Sequence, residues 1–382
     1  MKQGRSIEGL PPRTLRMRFL EWRNRVIGSD RFQRFAARNP LLRPVARQRA
    51  SAVFDLVAGF TYSQVLLGMV ESGILARLGT GPAAVDELSR IAGLPETGTK
   101  RLLRAAQAIG IAQEGKAGWW VLGRHGAVLH GNGGAIAMIR HHRLLYADLA
   151  DPLALLADER RSDTQLANFW KYGAAKHGDP RSAAIAADYS ELMADSQKAV
   201  AAEVLETFSF HRCTSLLDVG GGNGTFLRAV SEAHPHLRLG LFDLPDVVPL
   251  ARAQVSESAS HSALQFHEGD FLADPIPQGY ELVSLVRILH DHDDEPARQL
   301  LENIRRALAP GARLLIAEPM AETSGAEGMG DAYFGMYLWA MGSGRPRSAR
   351  EIRGMLEEVG FSATRQLRTS QPLITSVVVA TA

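Results

Sequence analysis

Leu216-Leu217-Asp218-Val219-Gly220-Gly221-Gly222-Asn223-Gly224 decides how the rest of this 382-residue chain is read. The apolar run ending at Val219 has the length and content of a buried strand. The glycines let the backbone turn sharply, and a helix is expected from about Thr225. Free N–H groups at such a helix start face whatever ligand the turn admits. The dinucleotide pattern G-x-G-x-x-G fails, because its third glycine position, counted from Gly220, falls on Thr225. What fits is D-x-G-x-G-x-G, on Asp218, Gly220, Gly222 and Gly224. An acid two residues before the first glycine suits a ligand with an ammonium group better than one with a pyrophosphate, which points to S-adenosylmethionine (SAM).

Downstream, RLGLFDLP, ALQFHEGD, ELVSLVRIL and ARLLIAEP follow between helical stretches. Short buried strands alternating with helices predict a parallel α/β sheet with its ligand at the strands' C-terminal ends. Asp243 closes the second strand, where a carboxylate can accept both ribose hydroxyls. Gly269-Asp270-Phe271 ends the third and offers an acid and an aromatic ring for an adenine. Each acid taken alone reads equally as a helix cap; three at successive strand ends read as a cofactor site. His290, just past the fourth strand, lies where a neutral imidazole can take a proton from an acceptor hydroxyl. Glu318 ends the fifth strand and is expected to hold the other ring nitrogen, with His292 as the competing base. The run His290–Glu295 resembles a metal cluster only on paper, because neighbouring loop acids rarely converge on one ion. No metal is expected.

Upstream, residues 82–130 show a helix, a Gly93/Pro95 turn, a second helix and a short hairpin, which is a winged-helix pattern. Its second helix carries only Lys100, Arg101 and Arg104 as bases, so packing is favoured over DNA binding. Residues 51–78 are apolar nearly all round, as for a helix buried against other helices or a second subunit, with breaks expected at Gly28, Gly59 and Gly73. Residues 135–210 read as all helix, and the tail after residue 361 as two strands joined at Gln371–Pro372. The stretch 331–341 supplies Tyr333, Met336, Tyr337 and Trp339 as the surface an apolar acceptor needs, or else as a core helix. The expected division is 1–50, 51–134, 135–210 and 211–382.

Composition excludes a disulfide-stapled mini-protein, with Cys213 the single cysteine, and a disordered tail protein, at 22% charged and a net +2. A lone thiol points to a reducing cytoplasm, and no stretch approaches the ~20 uncharged apolar residues of a spanning helix. The charge is uneven, however. Residues 1–50 carry twelve arginines and one lysine against Glu8, Glu21 and Asp30, a net of +10, which leaves −8 on the remainder. Arginines interleaved with Leu15, Phe19, Trp22 and Phe32 fit two readings. One is an interfacial segment on an anionic membrane, the other a solvated basic helix packed on the acidic body.

LLDVGGGNG, FDLPDVV, the GDF segment, LHDHDDE and IAEPM, in this order over residues 50–382, resemble the small-molecule O-methyltransferases of the caffeate and hydroxyindole type. The resemblance implies a Rossmann-like fold with a seven-stranded, mostly parallel sheet, preceded by a helical winged-helix dimerisation domain. It implies a homodimer, SAM as methyl donor and His290 as base. Gly220, Asp243, Asp270, Phe271 and Arg287 then line the cofactor site, with Met193 near the methyl donor. Two positions depart from the family pattern. His292 replaces its tryptophan, and Pro346 replaces the acid of its G-x-E-R-[TS] segment, here Gly344–Ser348, so either a weaker base or a smaller part for proton removal with this acceptor is expected. Within the family, RFQRFAARNPLLRPVARQRASAVFDLVAGFTYSQVLL and YLWAMGSGRPRSAREI resemble the branch that methylates carotenoids of the hydroxyneurosporene and demethylspheroidene type. A small apolar hydroxylated substrate follows. A bacteriochlorophyllide, an aromatic or polyketide hydroxyl, and a SAM-sensing regulator are the competing readings. Nucleic acid is not expected, since the basic charge precedes the winged helix.

Overall fold

The computed structural model describes residues 14–157, 163–173, 196–256 and 264–382. By contact density the chain divides into residues 1–68 and 69–382.

In the first unit, α1 (Leu15–Ile27) starts on Thr14, whose hydroxyl accepts from the Met17 N–H. It ends at Gly28, one of the expected breaks. Ser29 caps α2 (Asp30–Arg38) in the same way. The next helix, α3 (Arg43–Glu71), runs straight through Gly59, so the break expected there is absent. A lone glycine costs only about 1 kcal/mol in a helix this long. By length and composition α3 could cross a membrane, although Asp55 keeps it from being uncharged. Val53, Phe54, Leu56, Val57 and Phe60 are exposed on it.

The second unit opens with α4 (Ile74–Gly79), whose start at Gly73 is the third expected break. β1 (Ala83–Ala84), α5 (Val85–Ala92) and α6 (Glu96–Ala108) precede β2 (Ala112–Glu114) and β3 (Trp119–Leu122). The wing has three strands in the order β1-β3-β2, one more than the sequence shows, because β1 is only two residues long. Leu75, Leu78, Leu88, Leu103 and Trp120 are buried in this module. α7 (Arg124–His130), α8 (Gly133–Asp148), α9 (Pro152–Ala157) and α10 (Gln165–Gly173) follow.

Seven strands then form one sheet: β4 (Ser215–Val219), β5 (Arg238–Asp243), β6 (Leu264–Glu268), β7 (Leu282–Val286), β8 (Arg313–Glu318), β9 (Ser362–Leu367) and β10 (Ser376–Thr381). The order is β6-β5-β4-β7-β8-β10-β9. All pairs are parallel except those of β10, which lies antiparallel between β8 and β9. β4 and β7 are buried at every position, as strands covered on both faces must be. One core layer packs Leu217, Leu285 and Ile316 against Leu300, Ile304 and Ile352. The other packs Leu216 and Leu241 against Phe226, Val204 and Val230. The strand order reverses direction between β4 and β7, which opens the crevice beyond their carboxyl ends where ligands of such sheets bind.

Candidate active site

The glycine loop leaves β4 at that crevice. Gly220, Gly222 and Gly224 take φ of 71°, 57° and 79°, conformations that residues with a Cβ rarely adopt. A Cβ built on Gly222 meets nothing within 4 Å, so the loop leaves open space where a ligand would approach its backbone. Asp243, at the end of β5, faces that point. Its Oδ2 accepts from the Gly222 N–H and its Oδ1 from the Leu244 N–H, each at 2.8 Å. Burial pushes its carboxyl up, and those two N–H groups oppose the shift. A carboxylate has about four acceptor sites, so two remain for a ribose diol. The residues present therefore fit the ribose end of SAM.

Asp218 sits differently from what its spacing implies. It is 1% exposed beneath the loop, and its Oδ1 accepts from the Ser284 hydroxyl at 2.6 Å. Burial pushes its carboxyl up to about 7. It lies buried near the end of β4, directly before the loop. Asp270 forms a turn: its N–H donates to Asp274 Oδ2 and its Oδ1 accepts from the Leu272 N–H. The Phe271 carbonyl is held by Asn303, and its ring meets His292 edge-on at 5.4 Å. His292 thus packs its ring against that aromatic. Arg287, at φ 60°, holds a strained backbone at the exit of β7 and donates to the Ser196 hydroxyl at 2.7 Å. Met193 lies outside the described residues.

His290 lies in the 3-10 turn Leu289–Asp291 that follows β7 and is 3% exposed. Glu318 is beneath it and fully buried, but Oε2 accepts from the His290 backbone N–H at 3.0 Å and stands 4.0 Å from Nδ1. The bond to the second ring nitrogen expected of Glu318 is not formed. Asp291 reaches the imidazole instead, with Oδ1 3.0 Å from Nε2. Among the described residues, His290 Nδ1 and Glu318 Oε1 have no hydrogen-bond partner. Burial pulls the His290 pKa down, but the charges of Asp291 and Glu318 outweigh it and leave the group above its ordinary value. Burial likewise pushes Glu318 up.

The His290 ring stacks on Phe334 at 5.8 Å, and both line a cavity with Met138, Trp170, Arg287, Asp291 and Tyr337. Phe334 ends a π-helix (Gly328–Phe334) that continues as an α-helix (Gly335–Met341). Two histidines of α8 grip this element. His141 Nε2 is 2.7 Å from the Tyr337 hydroxyl, and His142 Nε2 is 2.8 Å from that of Tyr333. Burial lowers both imidazoles, His141 to about 4, so both are neutral at pH 7. Of the four residues expected to line the acceptor site, Tyr337 faces the cavity and Tyr333 backs Phe334. Met336 packs against the buried cluster that includes Leu145 and Leu166, and Trp339 turns away to donate to the Leu155 carbonyl. Phe334 lies within the stretch 331–341 expected to line the acceptor site but was not singled out there, and Asp291, Met138 and the 141–142 histidine pair were missed. Only the pair carried a signal, as two adjacent imidazoles on an apolar helix.

Residues 146–362 match the family model of the O-methyltransferase domain. The demethylspheroidene O-methyltransferase of Rhodobacter capsulatus is 41% identical over 356 residues, covering 93% of this chain and 88% of the relative. That of Cereibacter sphaeroides is 39% identical, covering 93% of each. The acetylserotonin O-methyltransferase of Mus musculus is 27% identical over 84% of this chain and 86% of its own length. Among solved structures, the calicheamicin-biosynthesis methyltransferase CalO1, in an S-adenosylhomocysteine-bound form, matches with a TM-score of 0.72 at 25% identity, covering 87% of this chain and 98% of that one. With the family model spanning more than half of the sequence and relatives about 40% identical along nearly all of it, the chain belongs to the SAM-dependent O-methyltransferases.

Proposed function

We propose that the chain methylates a hydroxyl of a carotenoid of the hydroxyneurosporene and demethylspheroidene type. The identity to two demethylspheroidene O-methyltransferases along 93% of the chain carries this reading. SAM supplies an electrophilic methyl group on a sulfonium. Asp243 accepts the ribose hydroxyls, the open Gly222 backbone admits the ligand, and Asp270 with Phe271 takes the adenine. Arg287 borders the reacting end. His290 receives the acceptor proton, with Asp291 and Glu318 favouring the imidazolium that results. A tertiary alcohol is a poor acid, so holding its oxygen in line with the methyl contributes more than full deprotonation. Phe334, Tyr337 and Met138 supply the apolar surface for that positioning.

The proposed organisation keeps residues 1–50 as a basic arm, 51–134 as a dimerisation domain, 135–210 as a connector and 211–382 as the catalytic domain. The exposed apolar residues of α3 support a homodimer formed through it, and exposed Leu15, Phe19 and Trp22 among arginines support membrane contact by α1. The enzyme would then work at the cytoplasmic face of the membrane that holds its substrate. Incubation with methyl-labelled SAM and a panel of hydroxylated carotenoids, bacteriochlorophyllides and phenols tests the substrate. Label is expected on the carotenoids, and label on phenols alone rejects the reading.

A further inference from the structure

The turn that carries His290 has almost nothing of its own to hold it. A three-residue 3-10 turn makes few internal bonds, and the carbonyls at its end need partners from elsewhere. All four carbonyls from Leu289 to His292 find theirs in one segment, Ser343–Arg347. Arg347 Nη1 donates to the Leu289 carbonyl at 2.8 Å and Nη2 to that of His292 at 2.8 Å. The Arg345 N–H donates to the His290 carbonyl at 2.9 Å, and the Ser343 hydroxyl to that of Asp291 at 3.0 Å.

The segment is itself fixed. Arg347 is fully buried, and its charge is balanced by Asp294, whose Oδ1 lies 2.8 Å from Nη2. Its carbonyl accepts from the Ala321 N–H, just beyond β8. Ser348 then opens the helix Ala349–Glu358 with a reciprocal cap on Glu351. Gly344, at φ 79°, lies so close to the turn that a Cβ there would stand 2.1 Å from the His290 carbonyl oxygen.

We infer that Ser343–Arg347 is a backbone strap that sets the position of the His290 imidazole, with Arg347 as its principal positioning residue. This rests on the reading of His290 as the proton acceptor. The guanidinium fork bonds two carbonyls three residues apart from two separate nitrogens, a planar spacing that the single nitrogen of a lysine does not reproduce. The segment that in the resembling family carries an acid toward the base thus acts here through main-chain contacts, and Pro346 costs it nothing because the bonds come from residues 343, 345 and 347.

The test compares Arg347→Lys, Ser343→Ala and His290→Ala in the full-length enzyme, by SAM dissociation constant, kcat and the pH profile of kcat. Arg347→Lys keeps the charge and loses the fork. It is expected to bind SAM within about threefold of wild type, to lose about 10- to 100-fold in kcat, and to shift the acidic limb of the profile, since a displaced imidazole meets Asp291, Glu318 and Arg287 differently. SAM binding intact with kcat within threefold of wild type and an unmoved limb overturns the inference. If Arg347→Lys does not fold, Ser343→Ala decides. It alters one partly solvated hydroxyl, and a fall of about threefold or more in kcat at unchanged SAM affinity supports the strap, whereas unchanged kcat overturns it. His290→Ala separates the two readings, because full turnover in that variant removes the proton acceptor itself and leaves the strap with nothing to position.

Discussion

Asp291 is the side chain whose role the geometry changes most. With its Oδ1 3.0 Å from Nε2, it and Glu318 hold the His290 pKa above the ordinary histidine value. With His290 as the proposed base, active when neutral, kcat is expected to fall as pH drops through a value above about 6.5. Asp291→Asn removes an anion that favours the charged form and should move that limb to lower pH; an unmoved limb would assign the titration to another group. His290→Ala is expected to cost at least about 100-fold in turnover with SAM affinity kept, and near-wild-type activity would move the base elsewhere. Asp243→Ala leaves the Gly222 and Leu244 N–H groups without their acceptor and removes the carboxylate proposed to accept the ribose hydroxyls. A drop of tenfold or more in SAM affinity by calorimetry is expected, and retained affinity would place the ribose at another acid. The spacing of glycines and strand-end acids pointed to Gly222 and Asp243, which the structure brings together, because strand length and turn chemistry fix them locally. It did not show which oxygen reaches which nitrogen. Glu318 bonding a backbone N–H while Asp291 takes the ring is decided by about an ångström of packing.

At the scale of elements, the π-helix at Gly328–Phe334 runs on into the α-helix Gly335–Met341. At a 3.6 period Phe334 and Tyr337, three residues apart, share a face, and Trp339, two residues beyond Tyr337, points away from it. The structure keeps that phase across the change from π- to α-helix: Phe334 and Tyr337 line the cavity while Trp339 turns toward α9. His142 and His141 hold the element through Tyr333 and Tyr337, and Tyr333 meets Phe334 edge-on at 5.0 Å. His142→Phe is expected to strand the Tyr333 hydroxyl, lowering stability by about 1–3 kcal/mol in denaturant unfolding. It should also raise the acceptor KM more than the SAM KM; equal changes in both would confine His142 to a structural role. The winged-helix module was legible because turn glycines mark it, and the tail hairpin because Gln371–Pro372 separates two runs of strand length. The unbroken run of α3 through Gly59 was not, since one glycine reads alike as a break or as a tolerated cost.

At the scale of the whole molecule, the charge asymmetry and the apolar exposure meet on the same N-terminal residues. Deletion of residues 1–40 is expected to reduce binding to anionic liposomes, and the lost component should be the part that high salt removes. Unchanged binding would leave the arm as a solvated basic helix. The parallel order of the sheet was foreseeable from alternating strands and helices, but the strand exchange at its far edge was not, because pairing partners are chosen by topology and not by local sequence. That exchange has a bearing on how the chain matures at the ribosome. After β4, each of β5, β6, β7 and β8 emerges with a parallel neighbour already made. β9 has none, for its only partner in the sheet is β10, which is synthesised after it and must slide between β9 and β8. The half of the sheet that bears the methyl-donor crevice can therefore assemble while β8 still presents a bare edge. Closing that edge with the final strand becomes the late step at which an unfinished chain is open to chaperones and to unwanted strand pairing.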